Sequence, residues 1–276
     1  MRIGVLGGGR MGAGIAHAFL LAGCDVTVVE RDAPSADAAA ERIRDLLTRS
    51  AARGQLAPGP AEFRTSTDVG DFADRELVIE AVPEDPALKA DALTRVETVM
   101  SDAALLASNT SSISIDALAS VLRCPERFLG LHFFNPVPAS ALVEIVIGRA
   151  TADVTVAQAR AYVDAIGKTP IVVRDSPGFA SSRLGVLLGL EAIRMLEEGV
   201  ADAGDIDRAM ELGYRHPMGP LRTTDLVGLD VRLGIAEELH AALGERFAPP
   251  ALLRRMVAEG RLGRKSGEGF YRWDAS

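Results

Sequence analysis

His132 lies near the end of one apolar run, 128–134, and Glu144 lies twelve residues further on, inside a second run, 142–147. Antiparallel pairing of the two runs would set imidazole and carboxylate side by side. A carboxylate accepting from one ring nitrogen fixes the tautomer and raises the basicity of the other, which suits a general base acting on an alcohol proton. A histidine on an apolar strand is also a common structural residue. The glutamate inside LVEIVI is equally odd for a core strand, and pairing accounts for both polar groups at once. His17, His216 and His240 have no acidic partner in a strand context and are read as structural or surface residues.

A second group reads Gly7-Gly8-Gly9-Arg10-Met11-Gly12, directly after an apolar run and at the start of a helical pattern. In GxGxxG the first glycine permits a tight turn, the second lets a pyrophosphate approach backbone N–H groups, and the third allows close helix–strand packing. Glu30 stands 18 residues beyond Gly12, where a carboxylate can accept hydrogen bonds from an adenosine ribose. Gly7, Gly9, Met11, Gly12 and Glu30 are therefore candidate contacts for a dinucleotide, and Glu30 favours NAD because it would repel a 2′-phosphate. Arg31 points the other way, since a guanidinium there can meet that phosphate or cover the adenine. A third group, Ser108-Asn109-Thr110-Ser111-Ser112, follows an apolar run at the end where parallel sheets bind ligands. Its hydroxyls and amide can hold a ribose and a substrate oxygen, or cap a helix over 113–118, and both uses are open.

The elements that must carry these residues follow from periodicity. Runs at 2–6, 24–30, 77–82 and 104–108 read as strands, the last two buried on both faces, with helical patterns at 11–22, 34–53 and 86–99 between them. The runs at 128–134 and 142–147 read as a hairpin, followed by a helix over 153–166 and a strand over 171–174. Residues 54–60 read as a loop. Beyond 176 helical periodicity runs through 179–198, 205–212, 225–243 and 250–259. This predicts an α/β, Rossmann-type, mostly parallel sheet domain over 1–176 that binds the cofactor, and an all-helical domain over 177–276 for substrate and dimerisation.

Composition agrees with that size. A chain of 276 residues with 48% hydrophobic and 25% charged residues can fill about two cores. Thirty Lys and Arg against 38 Asp and Glu give a net charge of −8, which opposes binding to nucleic acid or an anionic membrane. Cys24 and Cys124 lie far apart without metal spacing, so reduced cytoplasmic thiols are expected. The first apolar stretch is too short and glycine-broken for a signal peptide, and no run approaches the roughly 18 apolar residues of a membrane span.

With these motifs in hand the sequence resembles the 3-hydroxyacyl-CoA dehydrogenase family, particularly its bacterial 3-hydroxybutyryl-CoA branch. The resemblance covers nearly the whole chain and rests on GGGRMGAGIA at 7–16, VIEAVPED at 78–85, SNTSS at 108–112, HFFNPVP at 132–138, DSPGF at 175–179, HPMGP at 216–220 and KSGEGFY at 265–271. It implies reversible hydride transfer between NAD and C3 of a 3-hydroxyacyl-CoA, with His132 as base, Glu144 as its partner and Ser111 on the substrate. It further implies a cofactor site lined by Ala81, Glu84, Lys89, Asn109, Asn135 and Lys265, and a homodimer formed through the helical domain. Arg49 and Arg53 become candidates for the coenzyme A phosphates. The chain departs from the family at Ser182, which takes the place of an asparagine that helps hold the acyl thioester; a hydroxyl can still donate one hydrogen bond there. An acyl-carrier-protein thioester in place of coenzyme A, and a dinucleotide-binding protein without turnover, are the alternative readings.

Overall fold

The structure, a computed structural model, describes residues 1–55, 59 and 61–274, so the loop expected over 54–60 falls partly outside the described residues. The chain divides into two compact units, Met1–Ser176 and Pro177–Ser276.

The first unit is built on one eight-stranded sheet. Its elements in chain order are β1 (Arg2–Leu6), α1 (Arg10–Leu21), β2 (Asp25–Val29), α2 (Ala33–Ala52), β3 (Phe63–Ser66), β4 (Leu77–Glu80), α3 (Pro86–Val99), β5 (Leu105–Ser108), α4 (Ile115–Ala119), β6 (Phe128–Phe133), β7 (Leu142–Ile147), α5 (Asp153–Ala165) and β8 (Thr169–Arg174). The strand order is β3-β2-β1-β4-β5-β6-β7-β8. Six strands, β1 to β6, run parallel, and β7 and β8 run against them, parallel to each other. β4 and β5 are buried at every position, as continuous apolar runs in a covered parallel sheet require. Asp32 and Asp85 start α2 and α3 by accepting from Ser35 N–H and Leu88 N–H, each at 2.8 Å, with a proline in the first turn. The sheet and helices enclose one core that includes Ile3, Val5, Ile15, Phe19, Val28, Ile79, Leu129 and Ile145.

The second unit is helical: α6 (Ser181–Glu197), α7 (Ala203–Gly213), α8 (Pro220–Val227), α9 (Leu229–Leu243) and α10 (Ala251–Ala258). The single helix expected over 225–243 is divided, because Gly228 takes φ +105°, a conformation that ends α8 and starts α9. Two buried aspartates tie the end of the chain to these helices. Asp225 accepts from Phe270 N–H and Tyr271 N–H, both 2.9 Å, and from the Trp273 indole at 2.8 Å. Asp207 accepts from Leu221 N–H, Arg222 N–H and the Tyr271 hydroxyl at 2.8, 2.9 and 2.7 Å. Among the described residues no helix is long and apolar enough to cross a membrane.

Candidate active site

Strand register brings the histidine and the glutamate together. β6 and β7 pair antiparallel with His132 directly opposite Glu144, so both side chains leave the same face. A slip of one residue would turn Glu144 to the other face. His132 Nδ1 lies 2.7 Å from Glu144 Oε2, with the imidazole 6% exposed and the carboxylate fully buried. An ionised carboxylate only accepts, so Nδ1 carries the hydrogen of this bond, which sets the tautomer in which Nε2 is the basic nitrogen. The Phe134 ring packs against the imidazole at a centroid distance of 4.5 Å. Asn109 Oδ1 accepts from Phe133 N–H at 3.0 Å, which ties the end of β5 to the strand of His132. Asn135 follows β6 and is exposed.

The hydroxyl cluster is organised by a carboxylate. Glu84 Oε1 accepts from the Thr110 hydroxyl at 2.6 Å, Ser111 N–H at 2.9 Å and Ser112 N–H at 3.1 Å, with the Ser111 and Ser112 hydroxyls at 3.3 and 3.2 Å. Burial pushes the Glu84 carboxyl up. The Thr110 hydrogen bond, the Lys89 charge and the Ser111 N–H outweigh that, so it titrates below the usual glutamate range. The α4 helix is capped instead by Ser114, whose hydroxyl accepts from Ala117 N–H at 3.2 Å. Residues 110–112 are thereby left to Glu84.

At the glycine turn each residue has its own constraint. Gly7 has φ +94° and faces the Ala81 carbonyl oxygen, 2.8 Å from where a Cβ would stand. A Cβ on Gly12 would lie 1.8 Å from the Gly7 carbonyl oxygen, and one on Gly8 would lie 2.3 Å from Ala39 Cβ. Gly9 is different, because a Cβ there meets no described residue within 4 Å. It is also the N-cap of α1, which no side chain caps, so the first-turn N–H groups up to Met11 and Gly12 offer donors to an anion. The open side at Gly9 and these uncapped donors fit a dinucleotide pyrophosphate. Glu30 takes part in the turn itself, accepting from Gly8 N–H at 2.6 Å and, through its other oxygen, from Arg31 N–H at 3.1 Å. Arg31 is engaged by Asp32, Nε to Oδ2 at 3.2 Å.

Other residues singled out by the sequence take these places. Lys89 is buried, 2.7 Å from Glu80 and 3.2 Å from Glu84. Arg49 lies exposed in the last turn of α2, and Arg53, just beyond it, donates to the Ser50 hydroxyl at 3.3 Å and the Gln55 side chain at 3.4 Å. Ser182 lies in the first turn of α6, and Lys265 pairs with Asp230 at 2.6 Å; both belong to the second unit. Glu80, Lys168 and Asp225 have buried or bonded places that no motif in the sequence marks, and the one signal for Glu80 is a carboxylate inside LVIEAV. Lys168 holds the β6–β7 connection by donating to the carbonyls of Val137 and Ser140.

A parallel sheet with a glycine turn, an acidic residue after β2 and a histidine–carboxylate pair at the strand ends defines an NAD-dependent oxidoreductase of the Rossmann class. The chain belongs to the 3-hydroxyacyl-CoA dehydrogenase family: residues 2–176 match its NAD binding domain and residues 178–273 its C-terminal domain. It is 43% identical over 278 residues to a 3-hydroxybutyryl-CoA dehydrogenase of Mycobacterium tuberculosis, covering 98% of this chain and 97% of that one. A 3-hydroxybutyryl-CoA dehydrogenase of Bradyrhizobium diazoefficiens is 40% identical over 276 residues, 98% and 94% of the two chains. The crystal structure of (S)-3-hydroxybutyryl-CoA dehydrogenase from Ralstonia eutropha superposes with a TM-score of 0.93 at 38% identity, covering 99% of each chain.

Proposed function

We propose that this protein oxidises the C3 hydroxyl of a short 3-hydroxyacyl-CoA, of which 3-hydroxybutyryl-CoA is the type, reversibly and in the cytoplasm. The observation that carries the reading is the 2.7 Å bond between His132 Nδ1 and Glu144 Oε2 at the carboxyl end of β6. With Nδ1–H donating to Glu144, Nε2 takes the proton of the C3 hydroxyl, and the carboxylate stabilises the imidazolium that forms. NAD, when bound, supplies the acceptor for the hydride that leaves C3. The Ser111 hydroxyl bonds the substrate oxygen, and Asn109 keeps the histidine strand in line. In the reverse direction the imidazolium returns its proton to the forming alcohol.

Coenzyme A has a candidate place in the first unit. A cavity of about 400 Å³ is lined by His17, Leu21, Gln55, Pro138, Ser140 and Lys168, among others, which is within the ordinary size of ligand pockets. Arg53 is bonded to Gln55, which puts a guanidinium at the margin of this cavity for a phosphate, with Arg49 one turn before it. Steady-state kcat/KM for 3-hydroxybutyryl-CoA with NAD and with NADP tests the reading. NAD is expected to be preferred, because Glu30, fixed on Gly8 N–H, would repel a 2′-phosphate. An advantage for NADP, or faster turnover of the matched acyl group on acyl carrier protein, would overturn the corresponding part.

The second unit is proposed to form a homodimer. Leu184, Leu187, Val227 and Val231 expose apolar side chains on α6, α8 and α9. Beside them Arg232 is only 6% exposed, its Nε has no hydrogen-bond partner among the described residues, and burial pushes its guanidinium down to about 10. Covering by a second copy relieves the exposed apolar surface. Light scattering on the full chain should give the mass of two chains. The mass of one chain at micromolar concentration would remove the dimer.

A further inference from the structure

Arg232, in the first turn of α9, is a buried cation of the second unit that has no counterion among the described residues. Its Nε finds no hydrogen-bond partner there, and burial alone acts on its charge. A guanidinium taken out of water without an anion is costly, so a position that keeps one calls for an anion from outside the chain. The carboxylates on the neighbouring helices are committed elsewhere. Asp225 of α8 accepts from Phe270 N–H, Tyr271 N–H and the Trp273 indole, Asp230 of α9 pairs with Lys265 at 2.6 Å, and Glu191 of α6 pairs with Arg194 at 3.2 Å.

Two glycines of α6 shape the space around the guanidinium. A Cβ on Gly189 would stand 3.1 Å from Thr224 Oγ1 and 3.7 Å from Arg232 Nε, so the root of the fork lies against the helix. A Cβ on Gly185 would stand 3.7 Å from Arg232 Nη1 and meet no other described side chain within 4 Å. The outer end of the fork therefore borders an open space above α6. Ser182 lies one turn earlier, and positions 182, 185 and 189 share one face of the helix. Along the axis Gly185 is about 4.5 Å and Gly189 about 10 Å from Ser182. On the dehydrogenase reading, on which this inference rests, Ser182 stands at the acyl thioester, while the phosphates of coenzyme A have Arg49 and Arg53 in the first unit. We infer that Arg232 is a specificity-determining residue whose Nη1 pairs with a carboxylate at the far end of the acyl chain, so that the preferred substrates are coenzyme A thioesters of dicarboxylic 3-hydroxy acids. A planar carboxylate matches the planar fork, and glycine at 185 leaves the acyl chain the room that a larger residue would take.

The test compares 3-hydroxyadipyl-CoA with 3-hydroxyhexanoyl-CoA, whose acyl chains are equally long and end in a carboxylate and in a methyl group. It reads kcat/KM with NAD, and the binding of each thioester by calorimetry without NAD. The wild-type chain should prefer 3-hydroxyadipyl-CoA by at least about tenfold in both readouts. Arg232→Met keeps the stem, removes the fork and should abolish or reverse that preference. Arg232→Lys, a point charge without the fork, should fall between the two. Arg232→Met should also melt at or above the wild-type temperature, because it removes a buried charge that has no partner in the chain. Gly185→Leu fills the space before Nη1 with a good helix former and does not depend on how the arginine variants fold. It should weaken binding of 3-hydroxyadipyl-CoA by at least about tenfold. Equal use of the two thioesters by the wild-type chain, wild-type binding in Gly185→Leu, or an unchanged preference in folded Arg232→Met would overturn the inference. So would a lower melting temperature, or the mass of one chain by light scattering, in an Arg232→Met protein that keeps the preference, since the guanidinium would then serve its own chain or a second copy. Absence of turnover of every thioester by the wild-type chain would instead overturn the dehydrogenase reading, and the calorimetric preference would still decide on Arg232.

Discussion

Replacing His132 by glutamine should lower kcat for 3-hydroxybutyryl-CoA by about 10² to 10⁴ while NADH binding stays close to wild type. Glutamine removes the nitrogen that accepts the substrate proton but keeps an N–H able to donate toward Glu144, whose carboxylate is fully buried. His132→Ala should lose as much activity and also some stability, about 1–3 kcal/mol, because it takes a donor away from that buried carboxylate. Glu144→Gln should fall between wild type and the His132 variants: the 2.7 Å partner remains, but its charge no longer favours the imidazolium. Stopped-flow reduction of NAD and NADH fluorescence titration separate the two effects. Retention of most of the rate in His132→Gln would remove the histidine from the reaction.

The second large effect is expected at the glycine turn, and it should discriminate between neighbours. Gly12→Ala places a methyl group 1.8 Å from the Gly7 carbonyl oxygen, which is backbone and cannot swing aside. The start of α1 must therefore shift away from β1, at a cost of about 1–3 kcal/mol in stability and with it the alignment of the first-turn N–H groups. NADH affinity should fall by at least about tenfold, the equivalent of about 1.4 kcal/mol. Gly9→Ala meets no described residue within 4 Å, so its melting temperature should stay at the wild-type value while the methyl group obstructs only the ligand side. The paired measurement is thermal melting with and without NADH. A loss of melting temperature in Gly9→Ala, or wild-type NADH affinity in Gly12→Ala, would contradict this division of roles.

Much of this arrangement is legible in the sequence, because its signals are periodic and local. Alternating strand and helix patterns give the parallel sheet, and the two apolar runs around His132 and Glu144 give an antiparallel pair, while the exact register that sets the two residues opposite each other is seen only in the strand pairing. β3 escapes such reading. FRTS is short, polar and only partly buried at the sheet edge, and it becomes a strand by pairing Phe63 with Val26 of β2. The break at Gly228 is likewise silent in a pattern that stays helical on both sides, since only the positive φ of one residue records it. The Glu80–Lys89–Glu84 cluster is the hardest case. Its members face one another because a strand end, a loop and a helix converge, and no local spacing distinguishes a lysine at the fourth position of a helix from a solvated one. The same holds for Glu30, whose bond to Gly8 N–H adds a structural task to the carboxylate expected at a ribose.

The central claim is that the hydride removed from C3 of a 3-hydroxyacyl-CoA arrives on NAD while His132 takes the hydroxyl proton. Its most direct test uses 3-hydroxybutyryl-CoA carrying deuterium at C3, with mass analysis of the reduced nucleotide. One deuterium per NADH formed by the wild-type chain, and almost none formed by His132→Gln in the same time, is the predicted result. NADH that carries no deuterium, or equal labelling rates in the two proteins, would contradict it.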